Sequence, residues 1–221
     1  MKGDKFIIEQ GHIDAAEQLT GLLLLEIEKS QGKFIVTIGG ESGSGKSEIA
    51  VSLSKLLSEK GIENVILHQD DYFVYPPKTN AKMRKRDGAH IGPSEVRLDL
   101  LDQNLRDIIN GKKEIEKPLV IFDEDQIDQE TIEVDSIKVV IVDGGYTTLL
   151  KNVHRRVFIE RDYKDTQHIR KRRAREEQGR FLEKILKKEH EIIANHREQA
   201  DIIITKDYGV RKNGKRPQNQ D

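Results

Sequence analysis

"GESGSGKS", residues 40–47, decides how the rest of the chain is read. It meets the pattern G-x-x-x-x-G-K-[ST] in full. The run before it, "KFIVTIGG" (33–40), is β-branched and closed by glycines, as a buried strand would be. The run after it, "KSEIAVSLSKLLSEKG" (46–61), sets Ile49, Leu53, Leu56 and Leu57 on one helical face and stops at Gly61. Strand, glycine-rich turn and helix are the context the motif needs. The glycines let backbone N–H groups turn toward phosphate oxygens, and the helix start adds its positive dipole end. Gly40, Glu41, Ser42, Gly43, Ser44, Gly45, Lys46 and Ser47 are therefore read as a nucleotide-phosphate site. Lys46 is expected to reach the β- and γ-phosphates and the Ser47 hydroxyl to bind Mg2+. A guanine reader of the N-K-x-D type is missing from the late "ITKD" (204–207), so ATP is the expected donor.

Working outward, four more short apolar runs read as strands: "ENVILHQ" (63–69), "IKVVIVDGG" (137–145), "RRVFIER" (155–161) and "ADIIITKD" (200–207). Helical periodicity separates them at 13–29, 46–61, 93–112 and 164–198. Such alternation predicts an α/β fold, a mostly parallel sheet with helices on both faces. "IEKPLVIFDEDQIDQETIEVD" (115–135) reads as two strands joined by an acidic turn. Residues 70–92, rich in Pro, Gly and Lys, read as a long loop, and the tail from 208 as frayed.

Composition excludes several classes. The 221 residues carry 35% charged and 5% aromatic side chains with a formal net charge of −1, which argues against a global nucleic-acid footprint. No Cys is present, so disulfides and thiolate chemistry are excluded. The longest apolar run, Leu22–Leu25, falls far short of the roughly 20 residues that span a bilayer. The N-terminal stretch lacks the apolar core of a signal peptide, so a soluble cytoplasmic protein without a membrane partner is expected. The seven His residues form no ligand cluster; His190 and His196 are six apart, so no zinc site is expected.

In an open parallel sheet, ligands bind beyond the carboxyl ends of the strands. The run ending at Asp143 has the pattern of a Mg2+-holding acid after an apolar strand. "HQDDYFVYPP" (68–77) ends another strand in Asp70 and Asp71. One of these could take the proton of an attacking hydroxyl, or both could belong to an Asx turn. The aromatics that follow could pack on an organic acceptor or simply line a loop.

In this order the motifs resemble the uridine kinase and phosphoribulokinase-like branch of P-loop kinases, over residues 34–205. "HQDDYF" is similar to the family's S-Q-D-S-F-Y, which places Asp70 on its catalytic Asp and Phe73 on its substrate-contacting Tyr. "KPLVIFDEDQIDQET" (117–131) resembles the family hairpin, with Pro118, Phe122, Glu130 and Thr131 in step. "VVIVDGGY" (139–146), "QGRFLEKIL" (178–186) and "QADIIIT" (199–205) resemble later family segments.

The resemblance implies a P-loop NTPase fold with a five-stranded sheet in the order 2-3-1-4-5 and a hairpin and lid insertion. With it the chain reads as one kinase domain over 1–221: the helical periodicity gives a leading helix within 1–32 and the tail composition a flexible end at 208–221, while the resemblance implies an acceptor-side insertion at 70–135 and a lid with charged helices at 164–198. The Arg-rich "RKRRAREEQGR" (170–180) would be the lid, with Arg173 and then Arg170 closing on the phosphates.

Departures from the family pattern bear on the acceptor. Where the family hairpin has a pyrimidine-contacting Tyr and a His, this chain has Val120 and Asp125. The family's acid-rich D-H-P-x-A-F-D is reduced to "HIGPSEVRLD" (90–99). The expected activity is ATP- and Mg2+-dependent phosphoryl transfer to a hydroxyl of a small metabolite other than uridine or cytidine. Tyr72, Phe73, Arg97 and Asp125 are expected on the acceptor side. Arg84, Lys85, Arg86, His90 and Arg97 read equally as anion-binding groups or as loop charges. The alternatives are a true uridine/cytidine kinase and an ATP-binding regulatory protein. A polynucleotide kinase is opposed by the Glu residues interspersed in the basic 170–188 stretch; self-association is left open.

Overall fold

Residues Phe34–Gly40 form β1, and all seven are buried. The computed structural model describes Lys2, residues 6–173 and residues 179–214. In chain order, helix α1 (Gln10–Lys29) precedes β1; α2 (Lys46–Glu59), β2 (Asn64–His68), α3 (Pro77–Arg86) and α4 (Leu98–Ile109) follow it. Next come the hairpin β3 (Glu114–Ile121) and β4 (Gln126–Glu133), then β5 (Val139–Asp143) and β6 (Arg155–Ile159). Helices α5 (Gln167–Arg173) and α6 (Arg180–Ile193) lead to β7 (Ile202–Ile204) and β8 (Val210–Lys212).

The sheet order is β2-β5-β1-β6-β7-β8, parallel except for the antiparallel edge strand β8. Its first five members are the expected 2-3-1-4-5. Strands buried on both faces carry continuous apolar runs because alternate residues feed two cores. Phe34, Val36, Ile38, Val139 and Ile141 join the layer of α1 and α2. Ile35, Val140 and Val142 join the layer of α4 and the hairpin. This arrangement puts the ends of β1, β2 and β5 side by side, with Ile38, Asp143 and His68 in register.

Three expectations are corrected. The loop read over 70–92 contains α3, which starts on Pro77 at its first position. The side chain of Asp125, at the hairpin turn, accepts from Lys78 N at 2.7 Å and Thr79 N at 3.2 Å. The capping group is far away in sequence, so no local pattern announces this helix. The helix read from Pro93 begins instead at Leu98; Pro93–Glu95 form a separate 3-10 turn closed by Glu95 on Gly92 N. The tail read as frayed from 208 carries β8. Its entry is fastened to α1, because Gln18 accepts from Val210 N at 3.0 Å and donates to Tyr208 O at 3.4 Å. Residues 215–221 lie outside the described residues. Among the described residues no helix is long and apolar enough to cross a membrane.

Candidate active site

The phosphate loop joins β1 to α2. Gly43 and Gly45 have φ of 77° and 99°, a left-handed region that a side chain would strain, so the loop folds back as a concave run of amides. Lys46 Nζ donates to Glu41 O at 2.9 Å across the loop. The Glu41 side chain faces away from that role. Its Oε1 lies 2.6 Å from His190 Nδ1 on α6, and its Oε2 accepts from Tyr163 N at 2.8 Å. Burial pushes its carboxyl up, against the pull of His190. Thr166 Oγ1 donates to Ser42 O at 3.0 Å. These bonds fasten the loop to α6 and to the start of α5. Arg170, buried on α5, packs its stem so close to Gly43 that a Cβ there would come within 2.9 Å of Arg170 Cγ. Arg170 therefore lines the cleft beside Lys46.

Ser47 Oγ donates to Asp143 Oδ2 at 2.5 Å, and His68 Nδ1 meets Asp143 Oδ1 at 2.6 Å. Burial alone would raise the Asp143 carboxyl, but His68, Ser47 and Lys46 hold it below the usual aspartate range. His68 moves the opposite way: burial disfavours its charge, yet the Asp143 bond and charge raise it. A hydroxyl and an ionised carboxylate oxygen converging on one point suit Mg2+, which takes few protein oxygens and keeps its remaining positions for water and phosphate.

Asp70 lines the floor of the same cleft. Burial chiefly, and the nearby Asp143 charge, raise its carboxyl above the ordinary value, while Lys46 opposes them. Asp70, Asp143, Lys46 and Ser47 thus share one electrostatic neighbourhood. Asp71 does not line the cleft. Its carboxylate is buried, accepts from Val120 N at 3.1 Å and pairs with Lys117 Nζ at 2.9 Å.

The cleft is about 730 Å³ and runs from the phosphate loop to a chamber between α3 and α6. Phe73 lines it. Tyr72 does not: it is fully buried beside Leu101 and Leu105, its hydroxyl accepting from Asn104 Nδ2 at 2.9 Å. Arg97 is exposed, outside the cleft, at the start of α4. Asp125 is the α3 cap described above, with a further bond from Thr79 Oγ1 at 2.8 Å. Val120 is fully buried in β3. The Arg84 guanidinium grips the buried Glu95 with two donors and meets Glu189 on α6 at 2.9 Å. The Arg173 side chain and residues 174–178 of the expected lid lie outside the described residues.

Gly144, directly after Asp143, has no room for a side chain. A Cβ there would sit 2.3 Å from Gln69 Cβ, and Gln69 Oε1 in turn accepts from Tyr146 N at 2.7 Å. We expect Gly144→Ala to destabilise the fold by about 1–3 kcal/mol through overpacking. It should also lower kcat more than ATP affinity, because Gln69 adjoins Asp70. Urea unfolding and steady-state kinetics check both parts.

The model of the phosphoribulokinase / uridine kinase family matches residues 35–206. The chain belongs to this family. It is, with it, a small-molecule kinase. Uridine kinase from Staphylococcus epidermidis is 31% identical over 184 residues, covering 77% of this chain and 86% of that one. The bifunctional alpha-galactosidase/sucrose kinase AgaSK of Mediterraneibacter gnavus is 28% identical over 195 residues, 82% of this chain but only 21% of that protein. The structure of a possible uridine kinase from Bacillus stearothermophilus superimposes with a TM-score of 0.62 at 19% identity, covering 86% of this chain and 97% of that one.

Several groups of this kinase were not singled out by its sequence. His68 ends β2 in register with Asp143 and follows the same apolar-run pattern, so the signal was present. Tyr146 follows the glycines after Asp143, buried at the cleft wall with a hydroxyl that has no hydrogen-bond partner among the described residues. Lys117 stands in a strand at a buried position, which a lysine occupies only with acidic partners.

Proposed function

We propose that this kinase transfers the γ-phosphoryl group of ATP to a hydroxyl of a small metabolite other than uridine or cytidine. The placement of Asp70 carries the reading: a carboxylate with raised proton affinity on the cleft floor, in range of Lys46 and Asp143, open to the chamber beyond. In this reading the loop amides and Lys46 hold the β- and γ-phosphates. Ser47 and Asp143 hold Mg2+, which when bound neutralises charge between the phosphate oxygens. Asp70 accepts the proton as the acceptor oxygen bonds to phosphorus and ADP leaves with the bridging oxygen. Arg170, on the cleft wall at the loop, contributes positive charge toward the transferring group, and Arg173 is its candidate companion.

The altered acceptor follows from what the hairpin does here. Val120 and Asp125, which stand where the family pattern puts its pyrimidine contacts, support the Asp71 turn and cap α3 instead of lining the cleft. Coupled ADP release over nucleosides, sugars, sugar acids, phosphosugars and amino alcohols tests the reading. The expected result is acceptor-dependent ADP release with a non-nucleoside, at least tenfold above uridine and cytidine in kcat/KM. Uridine or cytidine as the best acceptor would refute the altered pocket.

A further inference from the structure

The acceptor chamber carries an unbalanced charge whose origin is in the anchoring of α3. That helix is held at both ends. Asp125 caps its start, and in its last turn Arg84 is committed to Glu95 and to Glu189 on α6. Held this way, α3 turns Lys78, Lys82 and Lys85 to the cleft, at i, i+4 and i+7 on one face. Lys78 Nζ donates to Asp123 O at 2.7 Å, and Lys85 Nζ lies 5.5 Å over the Phe181 ring. Among the described residues none of the three is in an ion pair. Over the roughly 1.5 Å per residue of helix rise, the row extends about 10 Å along the chamber wall.

A second observation points into the same chamber. The Tyr146 side chain is 3% exposed and lines the cleft, and its hydroxyl has no hydrogen-bond partner among the described residues. It lies in the field of Glu189, Glu95, Arg84 and Asp70, between the catalytic floor and the α3–α6 pair. A buried phenol normally finds a partner. Three of the six phenylalanines of the chain, Phe73, Phe122 and Phe181, line the remaining wall.

We propose that the acceptor is an anionic hydroxy compound, its carboxylate or phosphate held by the Lys78–Lys82–Lys85 face of α3 and its polar body by the Tyr146 hydroxyl. This rests on the phosphoryl-transfer reading above. The acceptor hydroxyl then lies toward Asp70, and the anion lies at the rim, where lysine ammonium groups serve as adaptable point charges. Arg84 takes no part in holding the anion, because its donors maintain the helix.

The test uses matched neutral and anionic probes: glycerol and glycerate, ribose and ribose 5-phosphate, pantothenol and pantothenate. ADP release is measured for each, and binding is measured by calorimetry with Mg2+ and a non-hydrolysable ATP analogue present. The expected result is at least a tenfold preference for the anionic member of one pair. The double variant Lys82→Gln/Lys85→Gln, exposed on the helix and so compatible with folding, should raise the KM for that acceptor about tenfold. The KM for ATP should stay within about twofold. Tyr146→Phe should raise the acceptor KM with the melting temperature retained. Turnover or binding that favours neutral members, or an unchanged acceptor KM in the double variant, overturns the inference and leaves the kinase reading standing. Anionic preference in binding with no ADP released from any probe supports the site and counts against the phosphoryl-transfer reading.

Discussion

Asp70→Asn is expected to lower kcat by about 10²-fold or more while ATP affinity stays near the wild-type value. General-base help is typically worth 10²- to 10⁴-fold, so about 2.7 kcal/mol of barrier is the lower bound. ATP affinity is spared because Lys46, the loop amides and the Ser47–Asp143 pair do not depend on Asp70 for their positions. Loss of activity by unfolding is separable, since the same substitution should stabilise the protein near neutral pH. Burial and Asp143 raise the Asp70 carboxyl in the folded state. A raised acid binds its proton more tightly when folded, so its contribution to stability is present at low pH and lost as pH rises through the folded value. Above that value the ionised carboxylate is a cost that Asn removes; the cost shrinks as pH falls toward the unfolded value, below which the two proteins converge. Urea unfolding at acidic and neutral pH reads this directly. In the wild type, kcat/KM should fall on the acid side with a midpoint above that of an ordinary aspartate, and that limb should vanish in the variant. Full activity in Asp70→Asn would eliminate the base role.

What could be read from the chain divides by distance in sequence. The phosphate loop is a local object: eight consecutive residues specify it, and β1 and α2 flank the glycine-rich turn as the sequence predicts. Asp143 and Asp70 stood out as candidates because one closes β5 and the other follows β2 by two residues, both at the sheet edge where ligands bind. The aromatic pair after Asp70 was not. Tyr72 and Phe73 look equivalent in sequence, and only packing against Leu101 and the Asn104 amide decides that Tyr72 turns inward. Arg84 and Arg97 look like equal candidates for an anion, but the partners that occupy Arg84 lie 11 and 105 residues away. Helix α3 was missed for the same reason, its cap coming from Asp125, 47 residues beyond Lys78. The chamber between α3 and α6 is thus written in long-range pairings, whereas the glycine-rich loop is written in consecutive residues.

Lys117→Met is expected to produce the largest stability loss, about 3–5 kcal/mol. Lys117 is 3% exposed, with its ammonium 2.9 Å from Asp71 Oδ2, 2.5 Å from Glu130 Oε1 and 3.0 Å from Pro118 O. Methionine replaces the stem well but leaves the Asp71 carboxylate, itself 2% exposed, buried without its cation. Glu130 suffers less, because its side chain is about a third exposed and reaches water. The double variant Asp71→Asn/Lys117→Met removes both buried charges together and should recover much of the loss, since an uncompensated ion costs more than an absent pair. This pair also links stability to catalysis. Asp71 joins the 3-10 turn of Gln69–Tyr72 to the hairpin through Lys117 and Val120 N, and Asp70 sits in that turn. In the fraction of Lys117→Met that remains folded, kcat should fall while ATP affinity is retained, as the turn loses its anchor. Urea unfolding and kcat on the same preparations check both effects. A loss below about 1 kcal/mol would show that Tyr72 and the apolar hairpin face hold the turn without the ion pair, and kcat should then be unchanged.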